Sequence, residues 1–324
     1  MKVNLIIGAG QLGSRHLQGL LKINSQQKIY VLDPSEDSLI LAEKRSKEIQ
    51  HCHQVIFTDS WDDIPEDVQV VIVSTGANVR YEILLKLIKK SKIDFLILEK
   101  VLFQSLDNYK EIDQLLKSND IKCWVNHPRR MWNVYTKLKS ELTLNRTEGI
   151  FQVFGSDWGL ACNGLHFLDI ISYISSSTIT SLDIDWIDSE IHKSKRQGYI
   201  EFTGSIKGKL SNGSAFIISS IKGPSTPVSI NISLPNSRWA ILENNESFLI
   251  YMNHSNSYRP IITNFDIEYQ SNLTTALVNS LINNGTCSLP TYQEASKTHI
   301  LFIIALLEKY NTLLNKNESV CPIT

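Results

Sequence analysis

The chemistry-bearing pattern nearest the start of the chain is a glycine-rich motif. It reads Gly8-Ala9-Gly10-Gln11-Leu12-Gly13. The motif follows the apolar segment 2–7 and precedes an amphipathic segment, which indicates a strand, a tight loop and a helix in that order. In such a G-x-G-x-x-G motif the first glycine permits the turn, the second lets the backbone approach a pyrophosphate, and the third lets the helix pack against the strand. The N–H groups that begin the helix would bind the phosphates, so the motif predicts a dinucleotide site.

An acidic residue stands where a dinucleotide site requires one. The next apolar segment, 28–32, ends at Asp33, twenty residues after Gly13, and a carboxylate at this spacing would accept hydrogen bonds from an adenosine ribose. The alternative, an aspartate that caps the helix starting near Pro34, does not explain the spacing. A carboxylate would repel a 2′-phosphate, and no arginine follows Asp33 closely, so we predict NAD as the cofactor in preference to NADP.

Other polar groups follow the next apolar segments of the same half. Ser74, Thr75 and Asn78 come at or after the end of the run 69–74. Because ligands bind at the carboxyl ends of the strands in an open parallel sheet, these side chains would contact the nicotinamide half of the cofactor. The alternative is a polar loop with no ligand.

Lys100 follows the apolar run 94–98 and the intervening Glu99. At the carboxyl edge of the sheet, its ammonium would point at the nicotinamide and the substrate, hydrogen-bond the reacting oxygen and share its proton. The alternative is a surface lysine whose stem packs on the protein.

These residues need a doubly wound parallel sheet to bring them together, and the pattern of the first half supplies one. Short apolar runs alternate with amphipathic stretches, as in βαβ units. We predict strands at 2–7, 28–32, 54–57, 69–74, 94–98 and 121–125, and helices at 11–23, 36–50, 79–91 and 105–117.

The second half of the chain has a different pattern of apolar residues. From about 147 to 251, period-two runs separated by turn signals such as Ser211-Asn212-Gly213 indicate a large, mostly antiparallel open sheet, with one helix-like segment at 162–174. We predict further helices near 129–142, 270–283 and 291–310. The fold class is therefore α/β: a Rossmann domain over 1–126, then an α+β domain over 127–324 that would bind substrate and form oligomers. Its C-terminal helix is a candidate to pack back on the first domain.

Composition narrows the class of protein. Thirty-two basic against 33 acidic residues leave a net charge of −1, which provides no general field for nucleic acid. No apolar run reaches the length of a membrane span. The five cysteines are scattered without CxxC spacing, so we expect reduced thiols, no metal site and a cytoplasmic protein.

The chain resembles the Gfo/Idh/MocA oxidoreductases, named for glucose-fructose oxidoreductase and inositol dehydrogenase. The resemblance rests on the glycine motif, on Glu99-Lys100, on His166-x-x-Asp169 and on Pro290-Thr291-x-x-Glu294-Ala295. Members of this family oxidise, reduce or epimerise sugars, inositols and nucleotide-linked sugars. The resemblance therefore implies a small sugar or nucleotide-sugar substrate, and a homodimer or homotetramer formed through the C-terminal sheet.

The resemblance also implies roles for single residues. It assigns proton transfer to His166, which is alternatively a histidine satisfied within a domain interface. Asp169 lies three residues further on, so both side chains could face the same cleft if the segment is helical. The family pattern has proline after the lysine and, in many members, aspartate four residues before the histidine; this chain has Val101 and Cys162 there. Glu99 would orient the structure around Lys100.

Several further residues are candidates to contact the substrate, namely Asn126, Arg129, Arg130, Trp158, Cys162 and Asn163. One arginine could pair bidentately with a substrate carboxylate or phosphate, or both could be solvated. Trp158 would form an apolar wall against the face of a sugar or would pack between the domains.

Two functions remain open at this point. The first is an NAD-linked dehydrogenase or reductase of a sugar, sugar acid or nucleotide-linked sugar, in surface-glycan synthesis by analogy. The second, suggested by Cys162 and Val101, is an inactive regulatory protein of the same fold that binds the dinucleotide or a sugar.

Overall fold

The computed structural model describes residues 2–145, 148–244 and 246–324, with the side chains of 143–145 left aside. The chain forms two compact units, each assembled from separate segments. Unit 1 comprises the chain up to Phe103, Asp107–Pro128 and Glu268–Ser296. Unit 2 comprises the described residues of Gln104–Leu106, Arg129–Ile267 and Lys297–Thr324.

Unit 1 is built on a six-stranded parallel sheet. Its strands are β1 (Lys2–Ile7), β2 (Gln27–Leu32), β3 (Gln54–Thr58), β4 (Asp67–Val73), β5 (Lys92–Leu98) and β6 (Lys122–Val125), in the spatial order β3-β2-β1-β4-β5-β6. The central strands are apolar without alternation because helices cover both faces, and Val70, Val71, Ile72 and Val73 are 0% exposed. The predicted Rossmann topology is confirmed.

Four helices connect these strands. They are α1 (Gly13–Leu21), α2 (Glu36–Ser46), α3 (Ala77–Lys90) and α4 (Leu106–Ser118). The helix α2 begins where Ser35 accepts a hydrogen bond from the N–H of Ser38, with acidic residues in its first turn and basic residues in its last, as the helix dipole favours.

Unit 2 contains a nine-stranded mixed sheet. Its strands are β7 (Ile150–Ser156), β8 (Ile179–Asp183), β9 (Ile187–Lys193), β10 (Ile200–Leu210), β11 (Ala215–Ile221), β12 (Val228–Leu234), β13 (Ser237–Glu243), β14 (Phe248–Asn253) and β15 (Ile261–Asn264). The spatial order is β15-β14-β13-β12-β7-β11-β10-β8, and β9 pairs with β10. The pair β7 and β11 is parallel, whereas the other paired strands are antiparallel. This confirms the mostly antiparallel sheet.

Two helices flank the first strand of this sheet along the chain. They are α5 (Asn133–Asn145) and α6 (Leu160–Ser175). The second packs on β10 and β11. Gly164 also lets Phe302 approach this helix closely, because a Cβ at Gly164 would lie 2.9 Å from the Phe302 ring. Before it, Gly159 has φ +80°, a conformation that favours glycine.

The last two helices are α7 (Gln270–Asn284) and α8 (Tyr292–Leu314). The chain returns to unit 1 for α7, which packs against α1. Gly19 permits this contact because a Cβ at that position would come 2.5 Å from Thr274. Among the described helices, none combines the length and apolarity needed to cross a membrane.

Candidate functional site

The glycine loop of unit 1 has the geometry of a phosphate-binding turn. Gly8 has φ +95°, which favours glycine. A Cβ at Gly13 would lie 1.7 Å from the carbonyl oxygen of Gly8, whereas a Cβ at Gly10 would meet nothing within 4 Å. The third glycine therefore closes the turn, and the second leaves open space beside the backbone where a ligand can approach. Gln11 and Leu12 lead into α1, whose start offers N–H donors.

Asp33 lies beside this loop. Its Oδ2 accepts a hydrogen bond from Ala9 N at 2.6 Å and its Oδ1 accepts one from Ser35 N at 2.8 Å. Each carboxylate oxygen can accept further hydrogen bonds, so the side chain can hold the loop and still accept from a ribose.

Arg45, on α2, brings a cation to the glycine loop although no arginine follows Asp33 closely in the sequence. Its Nη1 donates to Gln11 O at 2.9 Å and to Ser14 Oγ at 2.6 Å, while Nη2 donates to the Gln11 side chain at 2.5 Å. Burial is the largest of the effects that lower the pKa of this guanidinium, followed by the charge of Arg15. The cation lies twelve residues after Asp33, too far along the chain for the sequence to reveal it.

The three predicted cofactor residues at the end of β4 and after it differ in their surroundings. Ser74 Oγ donates to Gly8 O at 2.7 Å and so ties the end of β4 to the glycine loop. The Thr75 hydroxyl oxygen is buried and has no hydrogen-bond partner in the described part of the chain. Asn78 is exposed at the start of α3.

Glu99 is the centre of a buried polar network at the end of β5. Its Oε1 is 3.1 Å from His16 Nε2 and accepts from Asn126 Nδ2 at 2.5 Å. His16 Nδ1 is 2.8 Å from the Thr274 hydroxyl, and Asn126 Nδ2 also donates to Gln270 Oε1 at 3.0 Å. The network thus joins α1, β5, the segment after β6, and α7.

The charge on Glu99 is stabilised despite its burial. Burial alone would raise the pKa of this carboxyl group, but hydrogen bonding and charge from His16, the hydrogen bond from Asn126 and the charge of Lys100 outweigh it and lower the pKa. Glu99 therefore places a negative charge beside Lys100.

Lys100 is buried, at 7% exposure, so the alternative of a solvated surface lysine is wrong. The peptide bond that joins it to Val101 is cis. Arg80, on α3 and 1% exposed, donates to the carbonyl oxygens of Thr75 and Val101 and to that of Leu102 at 2.9 Å. Arg80 therefore fixes the backbone that follows Lys100.

In unit 2, the predicted substrate residues gather around the first turn of α6. Cys162 and Asn163 are partly exposed there, and Asn163 Nδ2 donates to Trp158 O at 2.6 Å. The indole of Trp158 is 9% exposed and donates to Ser219 O at 2.8 Å. It packs edge-on against Phe167.

Glu201, on β10, also reaches this turn. Its Oε2 accepts from Ala161 N at 2.8 Å and its Oε1 from Cys162 N at 2.9 Å. The carboxylate satisfies two N–H groups at a helix start where Gly159 has no capping side chain.

These groups line a pocket of about 520 Å³ within unit 2, a size typical of small-molecule sites. Its walls come from the start of α6, the ends of β9, β10 and β11, and the segment between β9 and β10. The lining includes Trp158, Cys162, Asn163, Lys193, Arg196, Glu201 and Ser220.

Both predicted arginines have partners inside unit 2, in place of a substrate anion or solvent. Arg129 Nε and Nη2 donate to Glu243 at 2.9 and 2.6 Å. Arg130 Nε and Nη2 donate to Asp169 at 2.8 and 2.7 Å. Each guanidinium is thus already held in a bidentate ion pair with a carboxylate of this unit, which gives both arginines a structural role.

His166 lies on α6 one turn after Cys162 and is partly exposed. Asp169, in contrast, is 5% exposed and is engaged by Arg130. The expectation that Asp169 shares a cleft with His166 is therefore replaced by a structural role, which leaves the histidine as the candidate proton carrier of α6.

Residues 3–127 match the model of an oxidoreductase family described as having an NAD-binding Rossmann fold, GFO_IDH_MocA. The predicted resemblance to the Gfo/Idh/MocA oxidoreductases is therefore confirmed over this portion of the chain. No curated protein sequence is significantly similar to the chain.

Solved structures share the fold over nearly the full length of this chain. An oxidoreductase from Agrobacterium radiobacter in complex with NAD⁺, L-tartaric acid and magnesium is 16% identical with a TM-score of 0.70, covering 97% of this chain and 96% of its own. A super-repressor mutant of Gal80p from Saccharomyces cerevisiae is 14% identical with a TM-score of 0.73 and the same coverage. UDP-N-acetylglucosamine 3-dehydrogenase from Acidithiobacillus ferrooxidans is 12% identical with a TM-score of 0.67, covering 94% and 95%. At these identities the likeness shows the fold alone.

The residues of the Gfo/Idh/MocA domain fit the dinucleotide of that family. Open space beside Gly10, the N–H groups that begin α1 and the carboxylate of Asp33 match the pyrophosphate and the ribose. NAD is therefore the cofactor of this domain.

Sequence reasoning missed several residues of these regions. The structure adds His16, Arg45, Arg80, Glu201 and Ser220. His16 follows Gly13 by three residues and faces the sheet, so its helical position was a usable signal. The others act across long stretches of sequence and left no local signal.

Proposed function

We propose that this protein is an NAD-dependent oxidoreductase that acts at a hydroxyl-bearing carbon of a sugar, sugar acid or nucleotide-linked sugar. The observation that carries the proposal is Lys100. It is a buried lysine at the carboxyl edge of an NAD-binding sheet, next to the ionised Glu99. Arg80 holds the backbone that follows it, and Asn126 donates a hydrogen bond to Glu99. A cytoplasmic location and a role in glycan synthesis belong to the same proposal.

NAD supplies the hydride acceptor or donor when bound. In the oxidative direction the carbinol carbon loses its hydrogen with both electrons of the C–H bond, and the hydroxyl group loses a proton. We assign the hydrogen bond to the reacting oxygen to Lys100. The family resemblance adds His166 as the candidate base. Reduction follows the reverse course.

The pocket of unit 2 supports a small polar substrate. It offers the Glu201 carboxylate, the Asn163 amide and the Trp158 wall, which are groups that bind hydroxyls and the apolar face of a sugar ring. Among proteins of this fold, one acts on a nucleotide sugar and another was solved with a hydroxyl-bearing dicarboxylic acid.

The test combines turnover with binding. The protein is incubated with NAD or NADP and a panel of free, acidic and nucleotide-linked sugars, and formation or loss of the reduced nicotinamide is followed by absorbance. Thermal unfolding is measured in parallel, since a ligand specific to the folded state raises its stability. We expect turnover with at least one sugar class and a larger stabilisation by NAD than by NADP.

A regulatory protein of the same fold is the second candidate. It is favoured by Cys162, because the first turn of α6 carries a thiol where many family members have a carboxylate, and by the Gal80p structures among those that share the fold. In the same test, stabilisation by NAD and a sugar without any change in the nicotinamide would support this candidate and overturn the enzyme.

We also propose that the sheet of unit 2 mediates a homodimer or homotetramer. Ile150 and Phe154, on β7, remain 52% and 37% exposed on one face of the sheet, and exposed apolar surface often marks an interface. Light scattering of the purified chain would give its mass, and a monomer at micromolar concentration would contradict this proposal.

A further inference from the structure

The pocket of unit 2 contains polar groups that no role in the fold fully accounts for. Glu201 is partly exposed, and each of its oxygens accepts one backbone N–H. A carboxylate has about four acceptor positions, so binding the first turn of α6 leaves capacity for a ligand hydroxyl. Both backbone contacts also fix the direction of the carboxylate.

A second group of this pocket carries an unmet hydrogen bond. Ser220, at the end of β11, is 1% exposed, and its hydroxyl has no partner among the residues that the structure describes. It lines the same pocket as Glu201. A buried hydroxyl without a partner costs free energy that a ligand group could recover.

The rim of the pocket is basic. Its four basic residues outnumber its two carboxylates, which gives a formal charge of +2 with His192 counted as neutral; the charged residues are Lys193, Lys195, Arg196, Lys222, Asp157 and Glu201. Lys195 lies 3.4 Å from Asp157, and Lys222 lies 2.8 Å from Glu190. Over the described ranges of the chain, Lys193 and Arg196 form no ion pair with a carboxylate.

We propose that this pocket binds an anionic, hydroxyl-bearing substrate, with Glu201 accepting a hydroxyl and Lys193 and Arg196 binding the anionic group. The anion is a carboxylate or a phosphate, since both are oxyanions that ammonium and guanidinium groups recognise. The inference rests on the proposed function for the reaction, but the binding itself does not require turnover.

A purely structural role for Glu201 leads to a different expectation. If the carboxylate only capped α6, its replacement would lower stability and leave ligand affinity unchanged. The variant Glu201→Gln separates these roles because the amide keeps one acceptor oxygen for the helix and loses the charge. Glu318→Gln, which replaces an exposed glutamate paired with Lys316 and outside the pocket lining, is the matched control.

The experiment measures affinity by calorimetry at saturating NAD with three probes: D-glucose, D-glucuronate and UDP-glucose. We expect D-glucuronate or UDP-glucose to bind at least about tenfold more tightly than D-glucose, and whichever binds identifies the anion as carboxylate or phosphate. The double variant Lys193→Ala/Arg196→Ala should remove this preference, whereas Lys209→Ala, exposed elsewhere on β10, should retain it. Glu201→Gln should weaken the binding of the anionic probe about tenfold or more.

Equal affinity for the three probes, no binding of any, or a preference unchanged in the double variant would overturn the inference. Binding that follows the expected pattern without any change in the nicotinamide would support the pocket and contradict the enzyme. Turnover of D-glucose with no preference for the anions would support the enzyme and contradict the pocket.

Discussion

Two carboxylates, one in each unit, show how differently a protein can hold the same chemical group. Glu99 is 4% exposed and is satisfied mainly by side chains from α1 and from the segment after β6. Glu201 is partly exposed and is satisfied by two backbone N–H groups of α6. The first is enclosed by its partners, and the second faces a pocket.

The difference indicates what each carboxylate does. A buried acceptor with several converging donors is costly to move, so it fixes the backbone and the charge next to it. A carboxylate held by backbone donors at a pocket keeps acceptor capacity for a ligand. We infer that Glu99 positions Lys100, whereas Glu201 contacts substrate.

The largest effect should come from the lysine that Glu99 positions. Lys100→Met keeps most of the side-chain length but removes the ammonium, and should lower kcat by about a hundredfold or more, the scale of a lost proton-transfer group. NAD affinity should change little. Lys117→Met, on the exposed face of α4, is the control, and wild-type turnover in Lys100→Met would remove the lysine from the mechanism.

Glu99→Gln should lower the free energy of unfolding by about 1–3 kcal/mol at neutral pH, because the ionised acceptor of His16 and Asn126 is lost. The pKa of Glu99 is lowered in the folded state. Its stabilisation is therefore complete above the unfolded pKa of about 4.3 and is lost as the pH falls through the folded value.

Urea unfolding of wild type and Glu99→Gln at neutral pH and below about pH 4 checks this dependence. The difference between the two proteins should shrink in acid. Glu201→Gln should cost less stability than Glu99→Gln at neutral pH, and the reverse order would contradict the comparison of the two carboxylates.

A smaller effect is expected at the cofactor loop. Asp33→Ala removes the acceptor of the Ala9 N–H and a charge that opposes a 2′-phosphate, so NAD affinity should fall about tenfold and NADP affinity less. Fluorescence titration with both reduced cofactors gives the ratio. If wild type already binds both equally, Asp33 does not select the cofactor and Arg45 becomes the residue to replace.

The sequence reveals the fold more completely than the site. Apolar runs and the glycine motif have local signatures, so the strands of unit 1 and the change to a mostly antiparallel sheet were predictable. Arg129 and Arg130 were not, because their partners Glu243 and Asp169 come from distant segments. Glu201 was not predictable for the same reason. Its carboxylate reaches the start of α6, forty residues earlier in the chain, only because β10 pairs within the sheet.

Hydride transfer, as opposed to ligand binding alone, is measured with a sugar of the class found to bind, deuterated at every carbon. It is incubated with NAD⁺, and the nicotinamide is recovered and analysed by mass spectrometry. Wild type should yield one deuterium in the reduced nicotinamide, and Lys100→Met should transfer it much more slowly. Recovery of unlabelled, fully oxidised NAD⁺ from a protein saturated with both ligands would contradict hydride transfer and identify a regulatory protein.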